Sequence, residues 1–190
     1  MDYLLNGLST TDAGIVNYYS INANATNYKK YLTDVVTRLK STADVVVNDW
    51  STGYRETYIA NSGTSVSSSV NITTNNFVTN LETNIRSGKL GIPAGLFSSG
   101  VKYPEKVEAF YKKDLSKELL NTAIKASQDF FNGQHFNKTT SGEGLKSYLD
   151  YLKVIRNGNN LSAIINNQFN TIFVVNATLN NSFSTQVTTD

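Results

Sequence analysis

From Asn24 to Tyr58 the apolar residues recur in steps of three and four, at Tyr28, Leu32, Val35, Leu39, Ala43, Val46, Trp50 and Tyr54. That spacing marks one face of an α-helix. Lys29, Lys30, Asp34, Arg38, Lys40, Asp44 and Asp49 lie between those positions, so the opposite face is wet. Unbroken, the stretch makes about nine turns and about 50 Å of helix, and other helices are expected to cover its stripe. The pattern predicts one helix from Asn24 to about Trp50, capped by Asn22 or Asn24. Gly53 falls inside it and costs about 1 kcal/mol against Ala, which predicts a kink or an early end there.

The remaining segments read as shorter helices. Tyr3-Leu4-Leu5, ending at Gly7, resembles the tail of a helix, and Asp12 is placed to cap a short helix over Ile15 to Tyr19. Ser65 to Ser87 is rich in Thr, Ser, Val and Asn, which favour strand. Val66, Val70, Phe77, Leu81 and Ile85 nonetheless keep helical spacing, and periodicity is taken over propensity. Gly88 is expected to close that helix. Gly88 to Gly100 is then an ordered loop anchored by Leu90, Ile92, Leu96 and Phe97, and Pro104 opens a short helix ending near Tyr111. Asp114 caps a helix with Leu115, Leu119, Ala123, Ile124 and Phe130, stopping at Gly133. Leu119 is expected inside and Lys117 in solvent. After a loop, Gly144 to Ile155 is helical and ends at Asn157-Gly158. Asn160 caps a last helix stepping through Leu161, Ile165, Gln168, Ile172 and Leu179. The expectation is an all-α helical bundle with one long amphipathic helix and ordered Gly/Pro loops, formed by residues 1–190 as a single helical domain.

Composition narrows the function classes. With 39% hydrophobic and 17% charged residues among 190, the chain is apolar enough to fold around a core. A neutral surface of Asn, Ser and Thr suggests an extracytoplasmic protein. The absence of cysteine excludes a disulfide framework and a thiolate metal site. A net charge of +2 is too small to imply nucleic acid or an anionic membrane. Lys112, Lys113 and Lys117 read as a solvated helix start. No apolar run approaches the ~20 residues of a membrane span, and Met1-Asp2 does not open a signal peptide.

Candidates for chemistry are few. His135 is the only histidine and, between Phe131 and Phe136, reads as a loop residue. Glu105, Glu108, Asp114 and Glu118 lie near helix starts, where they complement the helix dipole. Trp50, Tyr54 and Tyr58 form an aromatic edge on the long helix, read as packing rather than a ligand platform. No HExxH, glycine-rich phosphate loop or GxSxG occurs, so no catalytic residue is assigned.

Several segments, in order, resemble the second half of an imelysin-like protein, the family grouped as M75 peptidases. Asp2-Tyr3-Leu4-Leu5-Asn6-Gly7 is similar to its E-Y-L-L-x-G segment. Tyr28-Lys29-Lys30-Tyr31-Leu32, Trp50, Gly88-Lys89-Leu90-Gly91-Ile92-Pro93, Asp129-Phe130-Phe131-Asn132-Gly133 and Gly142-Glu143-Gly144-Leu145 follow. Each is weak alone; the ordered set covers nearly the whole chain.

The resemblance implies an all-helical protein of two bundle-like halves with a G-x-H-x-x-E segment near their junction. It also implies export, as a periplasmic protein or outer-membrane lipoprotein, and a link to iron uptake. Asp2 falls at the position of the motif's Glu, one methylene shorter, and is the one metal-ligand candidate; the Gly and His would precede Met1. The expectation is a non-catalytic helical domain of an exported protein, with a binding role in cell-envelope iron or nutrient acquisition. No cofactor is expected in this chain, with iron or zinc assigned to an intact parent. Its partners would be the missing N-terminal half or another envelope protein, without nucleic acid. The alternatives are part of an M75-type metallopeptidase whose other ligands lie upstream, and a structural or protein-interaction domain.

Overall fold

The long amphipathic pattern does fold as predicted: in the computed structural model, which describes residues 1–189, Ala25–Asp49 is a single α-helix, α2. It follows α1, Asp12–Ser20, across a short turn. The chain divides into two compact units, Met1–Thr73 and Thr74–Asp190. Helix dominates both.

In the first unit, the cap of α1 is Thr11 and not Asp12: the Thr11 hydroxyl accepts from the Gly14 amide at 3.1 Å, leaving Asp12 in the first turn. Tyr3–Gly7 is a π-helical turn with Leu4 buried, and the Tyr19 hydroxyl donates to the Leu4 carbonyl at 2.6 Å. The ring of Tyr18 meets that of Tyr28 edge-on at 5.2 Å, so α1 rests on the start of α2. Asn24 is the cap position of α2, though its side chain makes no capping bond; Asn22 accepts from the Asn24 amide instead. Gly53 takes φ 147°, a value closed to residues with a Cβ, and breaks the α-helical run in a π-helical turn over Trp50–Tyr54. A further helix, α3, spans Arg55–Ala60.

The expected cover for the long stripe is not found. No residue of α2 is buried. Leu32 and Val35 are half-buried, but Leu39 is 62% exposed and Val46 65%. α1 is nine residues long and reaches only the first turns of a 25-residue partner.

Val66 lies outside any helix; α4 runs over Ser69–Thr79. Its first turn is tied back by the Ser69 hydroxyl, which donates to the Tyr58 carbonyl at 2.6 Å, and by the Tyr58–Thr73 hydroxyl pair at 2.5 Å. From Asn80 the helix widens to π-helical geometry and continues to Gly91, so Gly88 is an interior residue rather than a terminator. Ile92, Leu96 and Phe97 are exposed, and the loop is anchored instead by buried Pro93, whose carbonyl accepts from the Tyr103 amide at 2.8 Å. Pro104 opens only a 3₁₀ turn, Pro104–Lys106, because Val107 returns to extended backbone.

The core of the second unit gathers Ile85, Val107, Leu120, Ile124, Phe131, Phe169, Phe183 and Val187. Its axis is α5, Ser116–Asn132, which buries Leu120, Ile124 and Phe131. Leu119 is only half-buried, so the buried row runs one position later than expected. Lys117 is not a free solvent residue: its ammonium donates to the Leu179 carbonyl at 2.7 Å, satisfying a backbone acceptor just past a helix end. α5 ends at Gly133 in left-handed geometry, φ 70°. A Cβ there would lie 2.4 Å from the Gly142 carbonyl oxygen, so the loop closes this tightly only around glycine.

α6 is shorter than expected, Leu145–Tyr151. Asn157-Gly158 does not end a helix but turns a hairpin: β1, Ile155–Arg156, pairs antiparallel with β2, Asn159–Asn160. Both turn residues have positive φ, 51° and 77°, the two-residue geometry that Asn-Gly favours. α7, Leu161–Ala177, follows Asn160 directly, and a last helix, α8, Phe183–Thr189, brings Phe183 and Val187 to the core.

Candidate functional site

α7, through Phe169 and Phe173, packs on α5, and that contact is stitched by amides. Asn132 and Asn166 exchange hydrogen bonds at 3.0 and 2.8 Å, Gln128 donates to Asn170 at 3.0 Å, and Asn176 donates to Asn121 at 2.9 Å. Asn176 is buried and needs such a partner, and complementary pairing along the row fixes the register of the two helices. Leu161, Ile165, Ile172 and Val175 line an open groove of about 700 Å³, to which Phe169 and Asn176 also contribute.

Leu120 and Ile124 of α5 form part of the groove lining, joined by Leu81, Ile85 and Leu90 of the π-helical segment. Its polar groups are few. The Arg86 guanidinium donates to both carboxylate oxygens of Glu82, through Nε at 2.7 Å and through Nη2. That bond holds the Glu82 carboxyl below its ordinary range and raises Arg86 above its own. Arg156, carried in by the hairpin, also lines the groove and enters no ion pair among the described residues. Asp150, bonded to Ser162 in the first turn of α7, is occupied: Lys146 and Ser162 both donate to it and lower its pKa. An apolar groove of this size with a few convergent polar groups has the make-up of a small-molecule site.

The residues singled out from the sequence lie elsewhere. His135 is exposed on the loop after α5, and its Nδ1 is 2.9 Å from the Thr140 hydroxyl. It borders a wide, open depression of about 1460 Å³ with Lys117, Lys125 and Phe136. Glu108 is ion-paired with Lys89. Trp50, Tyr54 and Tyr58 pack on one another, Trp50 and Tyr58 with ring centroids 5.6 Å apart, but Trp50 and Tyr54 are exposed rather than covered by a neighbouring helix.

Asp2 sits at the first π-helical turn, where Asn6 donates to its carboxylate at 3.0 Å. A zinc-type centre needs at least three protein ligands. Among the described residues no three or more His, Cys, Asp or Glu side chains come together in a way that could hold a metal ion. These residues do not fit a resident metal by themselves.

Comparison with known families matches this mostly helical chain to one of them: the family model described as Peptidase M75, imelysin, covers residues 2–190. The chain belongs to the imelysin family. No curated protein and no solved structure matches it. The mostly α-helical fold is that expected of an imelysin relative, and among the described residues no helix is long and apolar enough to cross a membrane. Sequence reasoning reached this family through short ordered segments but did not assign the groove. Its signal was present in the steps Leu161, Ile165, Gln168 and Ile172, which on a packed helix would read as core.

Proposed function

We propose that this chain is a binding domain, without catalysis of its own, in an exported imelysin-family protein that serves cell-envelope iron or nutrient acquisition. The observation that carries the reading is the apolar groove along α7, about 700 Å³, beside a donor set that assembles no three-ligand metal site. Membership of the family supports export to the periplasm or the outer membrane as a lipoprotein. Its partners in this reading are an N-terminal imelysin half or another envelope protein. A metallopeptidase reading draws on the family's description, with iron or zinc held by upstream residues together with Asp2.

Nile red, a neutral dye that fluoresces in apolar surroundings, tests whether the groove binds. The wild-type chain should bind it saturably. Ile172→Trp, at a position 37% exposed on the groove side of α7, should obstruct the groove and abolish binding without unfolding the protein. Dye binding unchanged by that substitution would overturn the groove as the site.

A further inference from the structure

Resting on that reading, we propose that the groove takes a long-chain fatty acid, its acyl chain laid along α7 and its carboxylate received by Arg156. The lining residues run from Leu161 to Asn176, so at 1.5 Å per residue the groove follows α7 for about 22 Å. A bilayer's hydrocarbon core of about 30 Å holds two acyl chains end to end, which makes one chain about 15 Å. The length therefore suits one acyl chain with its head group at an end.

The charges decide which end and which head group. Arg156 is adjacent to the Leu161 end, because the hairpin runs straight into α7 and the Leu161 amide bonds the Val154 carbonyl at 2.9 Å. Glu82 and Arg86 neutralise each other, and Asp150 is already held by Lys146 and Ser162. Arg156 is left as the cation without an ion-pair partner among the described residues, at a mainly apolar groove whose other charged side chains, Glu82 and Arg86, are paired with each other. A guanidinium presents a planar fork that fits a carboxylate with two hydrogen bonds. A neutral chain would leave that fork unused, and a cationic amphiphile would be repelled.

Calorimetric titration of the full, delipidated chain with oleate below its micelle-forming concentration tests the proposal, with oleyl alcohol as the uncharged control. Saturable binding of one oleate per chain is expected, competing with Nile red. Oleyl alcohol, and oleate against exposed Arg156→Gln, should each bind about tenfold more weakly, the loss of one charge-assisted pair. Ile172→Trp should abolish oleate binding. If Nile red binds in an Ile172→Trp-sensitive manner while oleate does not compete, the fatty-acid assignment falls and the binding reading stands. If neither probe responds to Ile172→Trp, both fall. Equal affinity of wild type and Arg156→Gln for oleate would overturn the role of Arg156. A chain that dimerises with Nile red excluded until dilution would give the groove to a second copy and overturn the proposal.

Discussion

Leu120 is fully buried, while its neighbour Leu119 is half-exposed and Lys117 reaches a backbone carbonyl at 2.7 Å. Three residues within one turn of α5 therefore carry three different expectations. Leu120→Ala should destabilise the protein by about 2–5 kcal/mol, through lost transfer energy and the residual cavity. Leu119→Ala should cost less than half as much, and Lys117→Ala about 1.5 kcal/mol for the broken charge-assisted bond. Thermal melts of the three variants check the order. Leu119→Ala as damaging as Leu120→Ala would show that the buried row is misassigned. The sequence alone placed this row one residue early because Leu119 and Leu120 are chemically identical. A turn of 3.6 residues lets either join Ala123 and Ile124 in a plausible stripe. Nothing local distinguishes them; the tertiary partners Ile85 and Phe169 do. Lys117 departs from its expected place in solvent for a related reason, since its acceptor lies 62 residues away.

At the scale of elements, strong periodicity was legible and terminators less so. α2 follows its stripe, the kink at Gly53 follows from glycine, and α5 stops at Gly133 as expected. Gly88 and Asn157-Gly158 carry the same terminator signal and behave otherwise. The first is carried through by a π-helical segment with wider backbone geometry; the second turns a hairpin, because Asn-Gly suits a two-residue β-turn as well as a helix end. The groove was invisible for a deeper reason. Periodicity reports that Leu161, Ile165 and Ile172 share a face but not whether another element covers it. Exposure of the α2 stripe has the same origin and gives a prediction: Leu39→Ala should change stability by no more than about 0.5 kcal/mol, as at an ordinary surface position. A loss comparable with that of Leu120→Ala, read in the same melts, would mean that Leu39 is covered in solution.

For the whole molecule, family membership and fold agree, and chemistry is the open axis between binding and peptide cleavage. Asp2 accepts a hydrogen bond from Asn6, and no three-ligand group accompanies it among the described residues. The proposal that this chain binds without cleaving peptide can be tested directly. The most direct measurement is mass spectrometry of an unfolded polypeptide incubated with the pure chain, with and without added Zn²⁺ or Fe²⁺. An intact substrate is expected under every condition. Chelator-sensitive cleavage that survives repurification and disappears in Asp2→Ala would contradict it.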